Sequence, residues 1–183
     1  MFARKGVGGT TIEDITEQAD VGKGTFYRHF ASKEALLEAI LEQSLSQLVD
    51  RLRGSSTSSP GSLSEVLNNL LEAHAGFCTE HPSEFALVFL SRGLAHAGDG
   101  ATIGQPSLSQ YLAETASRLG VFLPSPPDPS KMQKLAMAIA GFVNGYYSLS
   151  VVGMTPQEIE SSLRPLRQAF VAQASVFLSG QVR

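Results

Sequence analysis

Two short helical patterns separated by three residues constrain this chain most. Thr10-x-x-Glu13 and Thr11-x-x-Asp14 are overlapping capping boxes for a helix through Ala19, with Ile12, Ile15 and Ala19 on one face. Asp20-Val21-Gly22 then breaks the periodicity. Aspartate tolerates a left-handed turn, and glycine is a permissive N-cap for a second helix starting at Lys23. Val21 and Phe26 occupy the two positions of a hydrophobic staple, while Phe26 and Phe30, four apart, share the face that anchors to a core. Two short helices joined by a tight turn make a helix-turn-helix. From Val21 to Lys33 the side chains of Lys23, Arg28, His29 and Lys33 stand against no acid.

That basic patch is local. The formal net charge is −3, and residues 1–53 set seven Lys/Arg against eight Asp/Glu, which argues against indiscriminate binding of polyanions. With 183 residues, 43% of them hydrophobic and only 17% charged, the chain can bury a real core and is no disordered polyelectrolyte. The single Cys78 excludes an intrachain disulfide and suits a reducing compartment. Met1-Phe2-Ala3-Arg4-Lys5 leads into glycines, not the apolar run of a secretory signal. The apolar stretch from Leu135 to Val152 is interrupted by Gly141, Asn144, Gly145, Ser148 and Ser150, and reads as a buried helix rather than a membrane span. These features predict a soluble, cytoplasmic protein.

Strand signals are nearly absent, so the fold class is all-α. Ser32 caps a long helix, about Lys33 to Arg53, with leucines at helical spacing; 54–61 follows as a flexible linker by composition. Ser62-x-x-Glu65 opens another helix, and Pro82 fits the first turn of the next, whose run from Phe85 to Leu90 is apolar all round. Residues 98–106 read as a loop, Leu108 to Leu119 as a helix ending at Gly120, and 124–129 as a stiff proline-rich connector. Ser130 is expected to open a helix through about Val152. Thr155-Pro156-Gln157-Glu158 combines N-cap, Pro at N1 and Glu at N3, the clearest helix start in the chain. Ile159, Leu163, Leu166, Phe170 and Phe177 then form an apolar seam, with Pro165 expected to bend the helix.

A helix N-terminus carries unpaired N–H groups and positive dipole, and so attracts phosphate. At the start of the second short helix Lys23 adds charge, Gly24 permits close backbone approach, and Thr25 and Tyr27 offer hydroxyls; Lys33 offers a further phosphate contact. In a helix-turn-helix the N-terminal part of the second helix meets base edges in the major groove. A solvated helical hairpin with ordinary surface lysines has the same local pattern.

The residues from Gly9-Thr10-Thr11-Ile12-Glu13-Asp14-Ile15 through Lys23-Gly24-Thr25-Phe26-Tyr27, His29-Phe30 and Ser32-Lys33-Glu34-Ala35-Leu36-Leu37 resemble the tetracycline-repressor (TetR) family, densely over about Phe2 to Glu42. The resemblance implies a helix-turn-helix DNA-binding domain over 1–45 and a larger effector-binding and dimerisation domain over 46–183. It assigns Thr11, Tyr27, His29 and Lys33 to phosphates, and Lys23, Gly24 and Thr25 to bases or adjacent backbone. Arg28 falls at a variable position open to either, and Phe26 and Phe30 match core positions. Two departures are conservative: Asp20 stands where glycine is usual and Gly22 where Ser or Thr is usual. The third is larger, because only Met1 to Lys5 stand where the family has a full first helix covering the apolar side of the motif.

The resemblance further implies a homodimer on operator DNA that responds to a small effector, with no enzyme activity, cofactor or membrane attachment. Phe77, Phe85, Phe89, Tyr111, Phe142, Tyr146 and Tyr147 are the candidate effector-pocket residues, and core packing is the plainer role for each alone. Ile159, Leu163, Leu166, Phe170 and Phe177 are the candidate dimer seam. The alternative function is a ligand-binding or protein-interaction module of the same fold that no longer binds DNA. A phosphate-loop reading of Gly22-Lys23-Gly24-Thr25 fails on spacing and on the lack of a preceding strand. His74, Cys78 and His81 share helical spacing suited to a metal, but Pro82 should end the helix before His81, so no metal site is expected.

Overall fold

The fold is seen in a computed structural model that describes residues 1–54, 61–90, 105–120, 122–123, 128–151 and 155–179; side chains 89–90, 105–106, 146–151, 156, 159–160 and 179 fall outside that description. The linker 55–60, most of the expected 98–106 loop, the connector 124–127, and the side chains of Phe89, Tyr146, Tyr147 and Ile159 therefore lie outside the described residues.

Among the described residues the chain is helical, with no strand. In order run α1 (Phe2–Lys5), α2 (Ile12–Gln18), α3 (Lys23–His29), α4 (Lys33–Gly54), α5 (Leu63–Glu80) and α6 (Pro82–Phe85). A π-helical turn (Ala86–Leu90) precedes α7 (Gln105–Gly120), α8 (Pro129–Val151) and α9 (Pro156–Ser179). None of these helices is long and apolar enough to cross a membrane.

Local chemistry accounts for most boundaries. The α2 capping box belongs to Thr11: its hydroxyl accepts from the Asp14 N–H at 3.1 Å while Asp14 accepts from the Thr11 N–H at 3.0 Å. The rival, Thr10, is fully buried and donates its hydroxyl to the Gly6 carbonyl at 2.7 Å. Asp20 takes φ 52°, the left-handed turn its short polar side chain tolerates. Ser32 caps α4 through the Ala35 N–H, and Thr155 with Glu158 forms the expected box on α9. Two caps differ from expectation. Asp128, not Ser130, caps α8 by accepting from the Ser130 N–H, which places Pro129 at N1, where its missing N–H costs nothing. At α5, Ser62 caps as expected, but Glu65 reaches back to the Gly61 N–H rather than that of Ser62.

The body is built on α4, whose Leu37, Leu41, Leu45, Leu48, Val49 and Leu52 are buried along one face. It packs against α5 and α7; α5 packs in turn on α8 and α9, and α7 on α8. Phe77, Phe85, Val88, Tyr111, Leu119, Met132 and Ile139 fill the middle, and each fully buried large apolar side chain contributes roughly 1.5–3 kcal/mol over exposure. The π-helical turn buries Leu87 and Val88 beside Phe85, as the all-apolar run requires, and α1 packs against it, with Phe2 joining the core. α4 runs unbroken through residues 45 and 46, where the sequence reading divides the chain. α9 likewise continues past the exposed Pro165.

Candidate nucleic-acid interface

α2 and α3 form the helix-turn-helix, and its core is thin. Phe26 is buried and stacks edge-on with Tyr27 and obliquely with Phe30, but Ile12, Ile15 and Phe30 are only half-buried. Ala19, expected on the apolar face, is exposed, and Thr16 is buried in its stead, its hydroxyl satisfied by the Ile12 and Glu13 carbonyls. Val21 and Phe26 hold the staple positions around the Gly22 N-cap, yet Val21 is 41% exposed.

The anchoring of Phe26 turns the rest of α3 outward. Lys23, Gly24, Tyr27, Arg28 and His29 are exposed, Tyr27 by 56%, and Thr25 is half-buried. No atom lies within 4 Å of where a side chain on Gly24 would begin, so this turn of backbone is open to an approaching surface. Gly22 supplies no side-chain cap; its carbonyl takes the Thr25 N–H at 2.9 Å, and no side chain caps the N–H groups of Lys23 and Gly24 ahead of it. Lys23 is paired with Glu13 of α2, and that contact holds the Glu13 carboxyl below its usual pKa. Both partners are exposed, and such pairs are weak and screened by solvent, so Lys23 can exchange Glu13 for another anion at little cost.

Two of the sequence-derived contact residues are already engaged. Thr11 has its hydroxyl and N–H on Asp14, whose carboxyl is held down at about 2 by the Thr11 N–H, the Lys5 ammonium and the Thr11 hydroxyl, in that order. Thr11 nonetheless remains exposed. Lys33 is half-buried, and its ammonium donates to the Val7 carbonyl at 2.9 Å and the Thr10 carbonyl at 3.0 Å. Sequence spacing had no means of finding that engagement, because the acceptors lie 26 and 23 positions upstream.

The candidate effector residues whose side chains are described play different parts. Phe77, Phe85 and Tyr111 are fully buried core. The Tyr111 hydroxyl meets His74 Nε2 at 2.7 Å, and His74 Nδ1 lies 2.6 Å from the Leu70 carbonyl. The carbonyl requires the proton on Nδ1, so Tyr111 donates to Nε2 of a neutral imidazole; burial lowers the His74 pKa to about 4. Cys78 is buried too, and its thiol is pushed up to about 11. Among the described residues no three His, Cys, Asp or Glu side chains are grouped to hold a metal. Phe142 borders a cleft of about 280 Å³ between α5, α8 and α9. Leu71, Ala75, Gly76, Val143 and Leu163 line its apolar part, with Glu72 and Arg167 as charged members.

Of the dimer-seam candidates, Leu166 is 57% exposed, and Phe170 and Phe177 are half-buried beside α8, where Met137 is 61% exposed. Phe170 and Phe177 line a shallow apolar groove with Lys134, Ala138 and Gln173.

Residues 1–40 match the model for bacterial regulatory proteins of the tetR family. An uncharacterized HTH-type transcriptional regulator of Bacillus subtilis, YxbF, is 38% identical over 58 residues, covering 32% of this chain and 15% of YxbF. The HTH-type transcriptional repressor DhaR of a Mycobacterium species is 44% identical over 48 residues, covering 26% of this chain and 24% of DhaR. The match thus spans well under a third of either relative. The crystal structure of the TetR-family regulator PfmR from Thermus thermophilus aligns with all of this chain and 91% of its own, at a TM-score of 0.61 and 19% identity. The fold of the described residues is therefore similar to that of PfmR.

Proposed function

We propose that this chain, whose residues 1–40 match the model for bacterial regulatory proteins of the tetR family, is a DNA-binding transcriptional repressor controlled by a small effector. The observation that carries the reading is the outward face of α3: a helix start without a side-chain cap, with Lys23, Gly24, Tyr27, Arg28 and His29 exposed while Phe26 holds the helix down. Lys23, Gly24 and Thr25 approach base edges, and Thr11, Tyr27 and His29 bind phosphates. Residues 1–45 form the DNA-binding unit and 46–183 the effector and dimerisation unit, with α4 as their shared strut. The exposed apolar surface of α8 and α9 supports a homodimer, which sets two α3 helices against half-sites ~34 Å apart. The cleft beside Phe142 supports an effector site, because its wall residue Gly76 also lies against Arg51 of α4, and Arg51 pairs with Glu80. An occupant there is one residue from the helix that carries α3, and favouring one α4 pose shifts the dimer between operator-matched and mismatched spacing.

Selection of bound duplexes from random DNA tests the reading. A palindromic site should emerge, with affinity falling steeply with salt. Lys23→Ala should weaken binding by about tenfold and reduce the slope of log K against log[salt] by ~0.9. Glu13→Gln should strengthen it severalfold, by removing a competitor for Lys23. Failure of the wild-type chain to retain any duplex at low salt would favour a protein-interaction module, for which the half-covered apolar face of α2 is the feature on the molecule.

A further inference from the structure

Lys33 is the first residue of α4, where a cation faces the positive end of the helix dipole and is disfavoured. Such a lysine needs acceptors, and the fold provides them internally: the carbonyls of Val7 and Thr10. Those carbonyls belong to the segment joining α1 to α2. Thr10 is fully buried and folded back on the Gly6 carbonyl, Gly6 itself takes φ 74°, and Val7 packs against the core. The next residue, Thr11, is the N-cap of α2. Beyond the adjacent Ser32 cap on the Ala35 N–H, this is the side-chain tie that α4 makes to the chain before it among the described hydrogen bonds.

We propose that Lys33 is a positioning residue: an ammonium clip from α4 to the 7–10 segment that sets the angle of α2, and through it α3, on the body. This rests on the DNA-binding reading but reassigns one of its contacts. Two of the three ammonium donors are used in holding the segment, in a unit whose apolar contacts are few. The clip ties the recognition unit to α4, the helix that continues into the body.

The test compares Lys33→Met, which keeps the apolar stem and removes the donors, with wild type and Lys33→Arg. In the free protein, hydrogen exchange of amides from Thr10 to Gln18 should accelerate at least tenfold in Lys33→Met. Amides of α5 should be unchanged, and Lys33→Arg should restore most of the protection. On the selected duplex, Lys33→Met should bind about tenfold more weakly with an unchanged salt slope, and Lys33→Arg should recover most of that affinity. Unaltered exchange in free Lys33→Met overturns the proposal, as does a salt slope reduced by ~0.9, the signature of a lost phosphate contact. The exchange experiment decides the clip without DNA, so a chain that binds no duplex defeats the DNA-binding reading separately.

Discussion

The two ends of α4 belong to differently built structures. Toward its C-terminus α4 lies in a deep apolar core with α5, α7 and α8, where Leu48, Leu67, Val88, Leu119 and Ile139 are fully buried. Toward its N-terminus the helix-turn-helix buries Phe26 and Thr16, and much of its order comes from polar ties: Thr11 with Asp14, Lys5 with Asp14, Lys23 with Glu13, and Lys33 with two carbonyls. Apolar burial is strong and insensitive to charge, whereas exposed ties are individually weak and titrate. The difference suits the roles proposed for them. A body that senses and dimerises needs one stable packing, and a unit that meets DNA must leave its cations on the surface and able to change partners.

The largest expected effect separates the two regions. Phe77→Ala should cost ~3–5 kcal/mol of global stability by leaving a cavity in the body, measured by chemical denaturation followed through helical signal. Phe26→Ala should instead open α2 and α3 and leave the body's unfolding midpoint nearly in place, as read by hydrogen exchange. Coincident loss of both regions in Phe26→Ala would show one cooperative unit and break the contrast.

Acid should distinguish them next. His74 is held neutral in the body with a folded pKa of about 4 against 6.5 when unfolded. A depressed folded pKa means its contribution is complete above pH 6.5 and is lost as pH falls toward 4, while the unfolded chain takes up the proton first. The loss is on the order of 3 kcal/mol, and His74→Leu should flatten the stability profile across that window. In the helix-turn-helix Asp14 has a folded pKa of about 2 against 3.8, so its tie should persist below pH 4 and fail as pH falls toward 2. Site-resolved NMR titration would order the two events, and body loosening should come first.

The smallest effect is the cap itself. Thr11→Ala removes the hydroxyl that satisfies the Asp14 N–H and should cost about 1 kcal/mol, confined to α2. Equal loss of protection in α5 would again merge the two regions.

Much of this fold was legible in the sequence because its signals are local. Thr11-x-x-Asp14, Ser32, Ser62 and Thr155-Pro156-Gln157-Glu158 act within four residues of themselves, and all four start the helices expected of them. The same holds for the left-handed Asp20 and for the buried face of α7 at Tyr111, Thr115 and Leu119. Where competing local signals are equivalent, the sequence does not choose between them. Thr10 and Thr11 each precede an acid by three, and Asp128 and Ser130 are both good caps; only the surroundings choose between them. For the candidate effector residues the ambiguity is of another kind. Aromatic residues at helical spacing look alike whether they line a cavity or fill a core, and Phe77, Phe85 and Tyr111 fill one.

By itself, then, the sequence determined an all-helical chain with a short helix-turn-helix whose second helix pins Phe26 inward and carries basic and hydroxyl side chains outward. It could do so because capping, turn chemistry and helical periodicity operate over a few neighbouring residues. Tertiary structure alone decided which of those side chains remain available. It set Lys33 on carbonyls 23 and 26 residues away, gave Tyr111 to His74 across 37 residues, and left Lys23 on an exposed, exchangeable partner. A charge or a hydroxyl is common to all of these residues, but availability depends on what the folded chain brings within 3 Å.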